Sequence, residues 1–381
     1  MFNFSRENTS ATAKWWRNID KEILFLFIFL FLLGLFFSFS STSSVVAEKM
    51  NKQTYFFFAK HLIFVSISLF LLVAISIQDK RKLINFLPYL FLISLLLLFL
   101  TPLFGIEVKG SKRWMELPFL PRFQPVELVK PLFIVFIAKI IILNEKTNIY
   151  RRYLYSFLIL LFIVILLINQ PDLGQTLLFA SAWVTMIFVS GFNMFFLLIL
   201  SLVFLGTIAL LIFLFPEKFG YIFLRIKTFI DPRAGDNFQS QNALDAIIQG
   251  GLTGQGMGEG ILKDQVPEAH TDYIIAVISE EFGAVFVLLV VTIFLFIGYK
   301  VLNKVFAEKD EFLKLALSGL VSLLIIQTFI HIGVNIRLLP TTGMTLPFLS
   351  YGGSSLIGSS IVAGIILNFT RKDSIRSLQN D

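Results

Sequence analysis

Residues 23–40 read ILFLFIFLFLLGLFFSFS, and this run decides the fold class. It contains no charged residue and is long enough to cross a bilayer as one α-helix, which takes roughly 17 to 25 apolar residues. The run is longer than a signal-peptide core, and no clear small-residue cleavage site follows it. We therefore predict a retained membrane span that follows a polar N-terminal tail over residues 1–22.

The composition extends this interpretation to the whole chain of 381 residues. Hydrophobic residues make up 56% and charged residues 15%, with a mean hydropathy of +0.81, which is typical of a polytopic membrane protein. The formal net charge of +7 arises mostly from Lys and Arg in short connectors, where they set topology and contact anionic lipid. A nucleic-acid partner is therefore not expected. The lack of cysteine excludes disulfides and thiolate metal sites.

Apolar segments of spanning length recur along the chain. They are 23–40, 57–77, 84–102, 125–143, 153–169, 173–190, 194–215, 274–299, 315–334 and 354–370. We expect an all-α polytopic membrane protein with about ten transmembrane helices over residues 23–370. Lys and Arg are in excess in the connectors on the N-terminal side, so the positive-inside rule places both termini, including the tail 371–381, in the cytoplasm. The large loop 216–273, between predicted helices 7 and 8, is then extracytoplasmic.

The unusual chemistry lies in the outer loops, above all in VPEAHTDYIIAVISEEFG at 266–283. Asp272 stands at the outer mouth of the eighth span, where a positioned carboxylate can accept a proton from a hydroxyl group. Thr271 and Asp272 are also residue types that cap helix N-termini, and the residues alone leave both roles open. His270 is expected to be a hydrogen-bonded residue at the helix entry, because one His beside two carboxylates does not make a metal site.

Basic residues crowd one short outer loop, on the face where topology disfavours positive charge. They are Lys109, Lys112, Arg113 and Arg122. An anionic ligand at the membrane surface would compensate for this charge, and Arg113 can hold phosphate oxygens through two hydrogen bonds. Binding of lipid headgroups in general explains the cluster equally well.

Charged residues also occur within predicted spans. Glu127 and Lys130, in QPVELVKP at 124–131, share one helix face and form either an ion pair or part of a polar pathway. Glu280 and Glu281 are expected to pair with a cation on another helix, in a structural role.

Two stretches are rich in glycine. SYGGSS at 350–355 allows close backbone approach, either for helix packing or for a ligand. QGGLTGQGMGEG at 249–260 lacks the context of a phosphate-binding P-loop, and we expect a flexible loop there.

Six motifs, in this order, resemble those of the SEDS family of bacterial cell-wall polymerases (shape, elongation, division, sporulation). They are GSKRW (110–114), QPVELVK (124–130), QPDLG (170–174), DNFQSQNALDAIIQGGLTGQGMGEG (236–260), PEAHTDYIIAVISEE (267–281) and PTTGMTLPFLSYGGSS (340–355). The chain is more similar to the division members than to the elongation members. Elongation members tend to read PERHTD where this chain reads PEAHTD, and tend to have Pro in place of Thr345.

The resemblance implies a peptidoglycan glycosyltransferase that polymerises lipid II, an undecaprenyl-pyrophosphate-linked disaccharide pentapeptide, into β-1,4 glycan strands. The reaction would take place on the outer face of the bacterial cytoplasmic (inner) membrane, at the division septum. The family's essential aspartate corresponds to Asp272, which is therefore the expected catalytic residue. Substrate contacts are expected from Lys112, Arg113, Glu127, Lys130, Glu268, His270, Ser350 and Gly352.

The resemblance also bears on cations and partners. The leaving pyrophosphate needs positive charge, and Lys112, Arg113 and Lys130 are the candidates; a divalent cation, Mg²⁺ or Mn²⁺, can share this task, although no ligand set is visible. The expected partners are a class B penicillin-binding protein, a transpeptidase with one membrane anchor, and other membrane proteins of the divisome. Two positions depart from the family pattern. Thr342 stands where division members often have Lys, and Val126 adds bulk beside Glu127.

Three other interpretations remain at this stage. A lipid II flippase would line a path through the bundle with charged residues, but the unusual polar sequence is concentrated on one side of the membrane. A scaffold would recruit the transpeptidase without chemistry of its own. An elongation-type polymerase would perform the same reaction at the side wall.

Overall fold

The computed structural model describes residues 10–41, 56–108, 110–116, 118, 121–142, 148–214, 216–231 and 237–372, and these residues are mainly helical. In chain order the helices are α1 (Ala11–Asn18), α2 (Lys21–Ser41), α3 (Phe56–Ile77), α4 (Lys80–Phe104), α5 (Pro125–Ile142), α6 (Ile149–Asn169), α7 (Leu173–Val189), α8 (Met194–Leu214), α9 (Pro216–Ile230), α10 (Phe238–Gly250), α11 (Ile274–Ala307), α12 (Glu311–Asn335) and α13 (Gly353–Thr370). Helices α2 to α8 and α11 to α13 coincide with the predicted spans.

Seven of the described helices are long and apolar enough to cross a membrane on length and composition alone: α2, α3, α4, α6, α11, α12 and α13. Of the others, α5 carries the charged residues Glu127, Lys130 and Lys139, and α7 has 17 residues. The prediction of an all-α polytopic membrane protein is thus confirmed.

Helix α1 was not predicted, because the polar N-terminal residues were interpreted only as a tail. Ser10 caps this helix by accepting a hydrogen bond from the backbone N–H of Ala13, at 3.3 Å. The Trp15 indole N–H donates to Ser76 Oγ at 3.0 Å, which holds α1 against the end of α3. Its N-cap and this tryptophan anchor explain why a segment without a hydrophobic run is helical.

Helix α13 lies at the centre of the bundle and contacts α2, α3, α5, α11 and α12. Two glycines allow its close contacts. A Cβ atom on Gly353 would lie 2.5 Å from the ring of Phe64, and one on Gly358 would lie 2.6 Å from the carbonyl oxygen of Glu127. Small residues at helix contacts let backbones approach in membrane proteins. Of the two roles left open for SYGGSS, the structure shows helix packing at Gly353.

Helix α11 is interrupted at Gly283, whose φ of 79° and ψ of 173° are not helical. The glycine-rich stretch 249–260 packs into this break. The backbone N–H of Ala284 donates to Gly251 O at 2.9 Å, and that of Gln255 donates to Glu280 O at 2.8 Å. The break leaves backbone N–H and C=O groups without partners inside the helix, and the neighbouring stretch 249–260 forms hydrogen bonds with them. The stretch expected to be a flexible loop is a packed element of the structure.

Two further segments connect the long helices. Strands β1 (Ile106–Val108) and β2 (Ser111–Trp114) form an antiparallel hairpin after α4. The stretch 216–273 contains α9, α10 and a 3₁₀ turn at Leu262–Gln265, so this predicted loop has regular structure of its own.

Candidate active site

Asp272 lies in a tight turn immediately before α11. The carbonyl oxygen of Glu268 accepts hydrogen bonds from the backbone N–H groups of Thr271, Asp272 and Tyr273, at 3.0, 3.1 and 3.3 Å. The Thr271 hydroxyl donates to the Glu268 carboxylate at 2.9 Å. Tyr273, not Asp272, occupies the N-cap position of α11. The turn thus holds Asp272 one residue outside the helix, partly exposed, rather than as its cap residue.

Residues 335–351 hold the backbone of this turn from the opposite side. Ser350 Oγ donates to Thr271 O at 2.6 Å, and the backbone N–H of Tyr351 donates to His270 O at 2.9 Å. Asn335 Nδ2 donates to Asp272 O at 3.1 Å. These bonds fix the main chain on both sides of Asp272. Pre-organisation of this kind is what a catalytic group needs, because a rigid carboxylate loses little entropy in the transition state.

The space beside the Asp272 carboxylate is bordered by Gly343, which has a φ of 71°. A Cβ atom on Gly343 would lie 3.6 Å from Asp272 Oδ2, and Gly343 itself is exposed. The Asp272 carboxylate therefore lies beside an exposed backbone position at Gly343. Next to it, the His270 ring packs against the rings of Phe57 and Tyr351, with centroids 5.5 and 5.6 Å away.

Glu127 and Lys130 form the ion pair that was one of the two alternatives. Glu127 Oε2 and Lys130 Nζ are 2.7 Å apart, and both side chains are almost fully buried. Lys130 Nζ also donates to Gln327 Oε1 at 3.2 Å, and Gln175 Nε2 donates to Glu127 Oε1 at 3.1 Å. Gln327 Nε2 in turn donates to Thr345 O at 2.9 Å. The buried pair is thus satisfied by partners on α7 and α12, as burial of charge requires.

Arg113 connects the β1–β2 hairpin to the QPDLG turn. Its Nε donates to Gln170 O at 2.7 Å, its Nη2 donates to Pro171 O, and its Nη1 lies 3.8 Å from Asp172 Oδ2. Asp172 caps α7 by accepting a hydrogen bond from the backbone N–H of Gln175 at 3.2 Å. Burial raises the pKa of the Asp172 carboxyl above its usual range, and the positive charge of Arg113 opposes this rise.

The other members of the predicted basic cluster lie apart. Lys112 is exposed on the hairpin, opposite Glu107 in the strand register. Arg122 pairs with Glu116 at 3.3 Å, with both side chains more than half exposed. Lys109 lies outside the described residues.

Sequence reasoning missed Arg225, on α9. Its Nη1 donates to Thr341 O at 3.1 Å. Burial, and then the positive charge of Arg113, lower the pKa of Arg225, whereas Asp172 opposes this change. Burial raises the pKa of the Tyr273 phenol, and the negative charge of Asp272 raises it further. The positive charge of Arg225 lowers this pKa. Arg225 is thus a cation whose charge interacts with Asp172, in the QPDLG turn, and with Tyr273, next to Asp272.

Residues 341–345 join these groups. Thr341 O accepts from Arg225, Gly343 borders Asp272, Met344 O lies 2.7 Å from His331 Nδ1, and Thr345 O accepts from Gln327, the partner of Lys130. The Asp272 end of this arrangement contains Glu268, His270, Ser350 and Gly352. Its buried end contains Glu127 and Lys130. Of the predicted substrate contacts, Lys112 and Arg113 lie on strand β2, where Lys112 is exposed and Arg113 is half-buried.

The described residues contain no group of three His, Asp or Glu side chains arranged as metal ligands. A divalent cation shared with the phosphates of a substrate needs fewer protein ligands and stays a prediction, and the chemistry considered below uses the side chains of this protein only.

The fold and this site define a multi-pass membrane protein in which hydrogen bonds from Asn335, Ser350 and Tyr351 fix the backbone around one carboxylate before a broken helix. Residues 21–375 match the family model for cell cycle proteins of the FtsW, RodA and SpoVE type. The chain belongs to this family.

Named relatives and solved structures agree with this assignment. A protein of Caulobacter vibrioides named probable peptidoglycan glycosyltransferase FtsW is 32% identical over 97% of this chain and 93% of its own. A protein of the same name from Coxiella burnetii is 33% identical over 86% and 90%. A chain of a peptidoglycan synthase complex, described as coordinating polymerization and crosslinking, superposes with a TM-score of 0.74 at 27% identity, over 92% of this chain and 97% of that chain. The rod shape determining protein RodA of Thermus thermophilus gives 0.67 at 26% identity, over 92% and 96%.

Proposed function

We propose that this protein is a peptidoglycan glycosyltransferase that polymerises lipid II into β-1,4 glycan strands during septal cell-wall synthesis. The observation that carries the proposal is the placement of Asp272, in a turn whose backbone is fixed by hydrogen bonds on both sides and with its carboxylate beside the exposed Gly343. The names of the relatives support the same activity.

Asp272 acts as the general base. Its carboxylate accepts the proton of the C4 hydroxyl of the acceptor GlcNAc, and the oxygen attacks the anomeric carbon of the donor MurNAc. The bond from that carbon to the pyrophosphate oxygen breaks as the glycosidic bond forms, so the α-linked donor becomes a β-linked product. The proton remains on Asp272 until it is released to solvent, and polyprenyl pyrophosphate leaves.

Positive charge must stabilise the leaving pyrophosphate. We assign this task first to Arg113, with Lys112 available at the surface of the hairpin. Lys130 is held by Glu127 and Gln327, so its role is to support the Asp272 region through Gln327 and Thr345. Glu268, His270, Ser350 and Gly352 shape the acceptor side of the same site.

We propose ten transmembrane helices over residues 23–370, with both termini in the cytoplasm and the stretch 216–273 outside. Contacts at one end of the bundle support this arrangement. Lys304 pairs with Asp20 at 3.0 Å, and Arg371 Nη1 donates to Ser76 O at 3.0 Å, so both ends of the described chain lie together with the basic connectors. Asp272 and Gly353 lie at the other ends of their helices.

The partners we propose are a class B penicillin-binding protein and other divisome membrane proteins. The solved relative in a complex that couples polymerization to crosslinking supports a transpeptidase partner. Large exposed hydrophobic side chains on α3, α4 and α6 provide lipid-facing surface on which a single anchor helix can pack.

The buried polar residues Glu127, Lys130, Gln175 and Gln327 favour a second candidate, a lipid II flippase, because polar groups inside a bundle can line a transport path. Their mutual hydrogen bonds argue for a closed structural network instead.

A polymerisation assay on the complex separates the candidates. The purified chain, bound to its transpeptidase with the crosslinking site blocked by a β-lactam, is given labelled lipid II, and the products are resolved on a gel. We expect a ladder of glycan strands. Movement of lipid II across liposomes without a ladder would establish the flippase, and neither activity would indicate a scaffold. Depletion in cells distinguishes septal from side-wall synthesis: filaments are expected, and round cells would indicate the elongation-type enzyme.

A further inference from the structure

A cavity of about 160 Å³ lies between α9, α10 and residues 337–341, on the Asp272 side of the protein. Two arginines, Arg225 and Arg337, contribute to its wall. The other polar lining residues are Thr228, Asn237, Ser240 and Thr341. A cavity with two guanidinium groups and hydroxyl and amide neighbours has the chemistry of a site for charged oxygens.

Neither arginine forms a salt bridge with a carboxylate of the described residues. Arg225 Nη1 donates to Thr341 O at 3.1 Å, and Arg337 Nη1 donates to Gln241 Oε1 at 2.6 Å. Each guanidinium has five N–H donors in a fork that matches carboxylate and phosphate oxygens, so both keep donors for a ligand.

The end of α12 places Arg337 at the cavity. Arg337 has a φ of 55° and directly follows the C-cap residue Ile336. Its backbone N–H donates to Val334 O at 3.2 Å, and that of Leu338 donates to Gly333 O at 2.7 Å, which is the left-handed turn that commonly ends helices. This turn fixes the backbone position from which Arg337 contributes to the cavity wall.

The cavity is adjacent to the candidate active site. Its wall includes Pro340 and Thr341, and two residues later Gly343 borders the Asp272 carboxylate. Thr342, between them, supplies no charge, and its hydroxyl is buried without a hydrogen-bond partner among the described residues. Among the described residues that line the cavity, the positive charges are Arg225 and Arg337.

We propose that Arg225 and Arg337 form an anion subsite that holds charged oxygens of the lipid-linked substrate while its sugar lies at Asp272. This inference rests on the proposed function. The charged oxygens come from the substrate's pyrophosphate or from a carboxylate of its peptide, and the two sources have the same chemistry at the arginines.

Binding measured without turnover tests the subsite. The full chain in complex with its transpeptidase, carrying Asp272→Asn, is titrated by calorimetry with inorganic pyrophosphate and, separately, with disaccharide pentapeptide that lacks the pyrophosphate. Arg337→Gln should lower the affinity for one of the two probes about tenfold, because a charge-assisted hydrogen bond is lost. Loss with pyrophosphate identifies the pyrophosphate as the source, and loss with the disaccharide pentapeptide identifies the carboxylate.

Two further variants control the measurement. Lys227→Gln removes an exposed positive charge from the same helix as Arg225, outside the cavity, and should leave both affinities unchanged. Arg337→Gly removes the charge while relieving the left-handed backbone, so it should fold at least as well as wild type and show the same loss as Arg337→Gln.

The proposed subsite would be overturned if Arg337→Gln and Arg337→Gly bound both probes with the affinity of the parent protein. An equal loss in Lys227→Gln would also overturn it, because the effect would then reflect general surface charge. A different result would refute the proposed function. If wild type makes no glycan ladder but binding of a probe still depends on Arg337, the anion subsite stands and the assignment as a polymerase is wrong.

Discussion

The most deeply buried charges outside the site belong to Lys263, Glu280 and Glu281. Lys263 Nζ pairs with Glu281 Oε1, and Ser40 Oγ donates to the other oxygen of the same carboxylate. Glu280 accepts the backbone N–H groups of Leu262 and Lys263, at 2.8 and 2.7 Å. A cation does pair with Glu281, but it is Lys263, which lies in the 3₁₀ turn before α11 and not on another membrane helix as predicted. These contacts hold the stretch 258–263 against the part of α11 that follows Asp272.

Removing Lys263 should be costly. In Lys263→Met the Glu281 carboxylate loses its cation in a dry environment, and breaking a buried pair costs about 3 to 5 kcal/mol. We expect a clear fall in the thermal unfolding temperature of the purified protein. Lys314→Met, which breaks the exposed pair with Glu311, is the control and should cost less than about 1 kcal/mol. Equal effects in the two variants would refute the structural role of Lys263.

At the scale of elements, the break in α11 is the feature that positions Asp272. The helical half before Gly283 is clamped by the stretch 249–260, while the half after it continues as a membrane helix. A Cβ atom on Gly283 would lie 2.2 Å from Leu252 O, and one on Gly250 would lie 1.9 Å from Ser279 O. The glycines are required because two backbones meet there.

Gly283→Ala should therefore destabilise the protein and reduce polymerisation, since both the positive φ and the contact with Leu252 O must change. Thermal unfolding and the glycan-ladder assay measure the two effects. Gly220→Ala, in α9, is the matched control: a Cβ atom on Gly220 would have no described neighbour within 4 Å, so this variant should be neutral or slightly stabilising. A neutral Gly283→Ala would mean that the break does not set the site.

The sequence predicted those elements whose signal is local. Hydropathy located the helices from α2 to α8 and from α11 to α13, because each buries or exposes an apolar surface along its own length. It did not predict the break at Gly283, which depends on a loop packed from elsewhere in the chain. Arg225 was missed for a similar reason, since α9 lies in a stretch predicted as loop and its contact with Thr341 joins segments far apart in sequence. The backbone clamps from Asn335 and Ser350 are also tertiary.

At the scale of the whole molecule, the charged connectors and the site lie at opposite ends of the bundle. The lack of native cysteine makes this arrangement directly testable, since a single introduced thiol is the only reactive one. Lys227→Cys, on α9, should react with a membrane-impermeant maleimide in spheroplasts. Lys309→Cys, between α11 and α12, should react only after permeabilisation. The reverse pattern would invert the topology and place Asp272 on the cytoplasmic side.

The most direct test of the central claim is the glycan ladder made by Asp272→Asn. The variant keeps the size of the side chain and removes its basicity, so in a folded complex with the transpeptidase we expect polymerisation to fall by about 100-fold or more. Glu259→Gln, an exposed carboxylate in the same outer region, should make a ladder like that of wild type. Equal ladders from Asp272→Asn and wild type would contradict the assignment of Asp272 as the base and leave it as a structural residue of the turn.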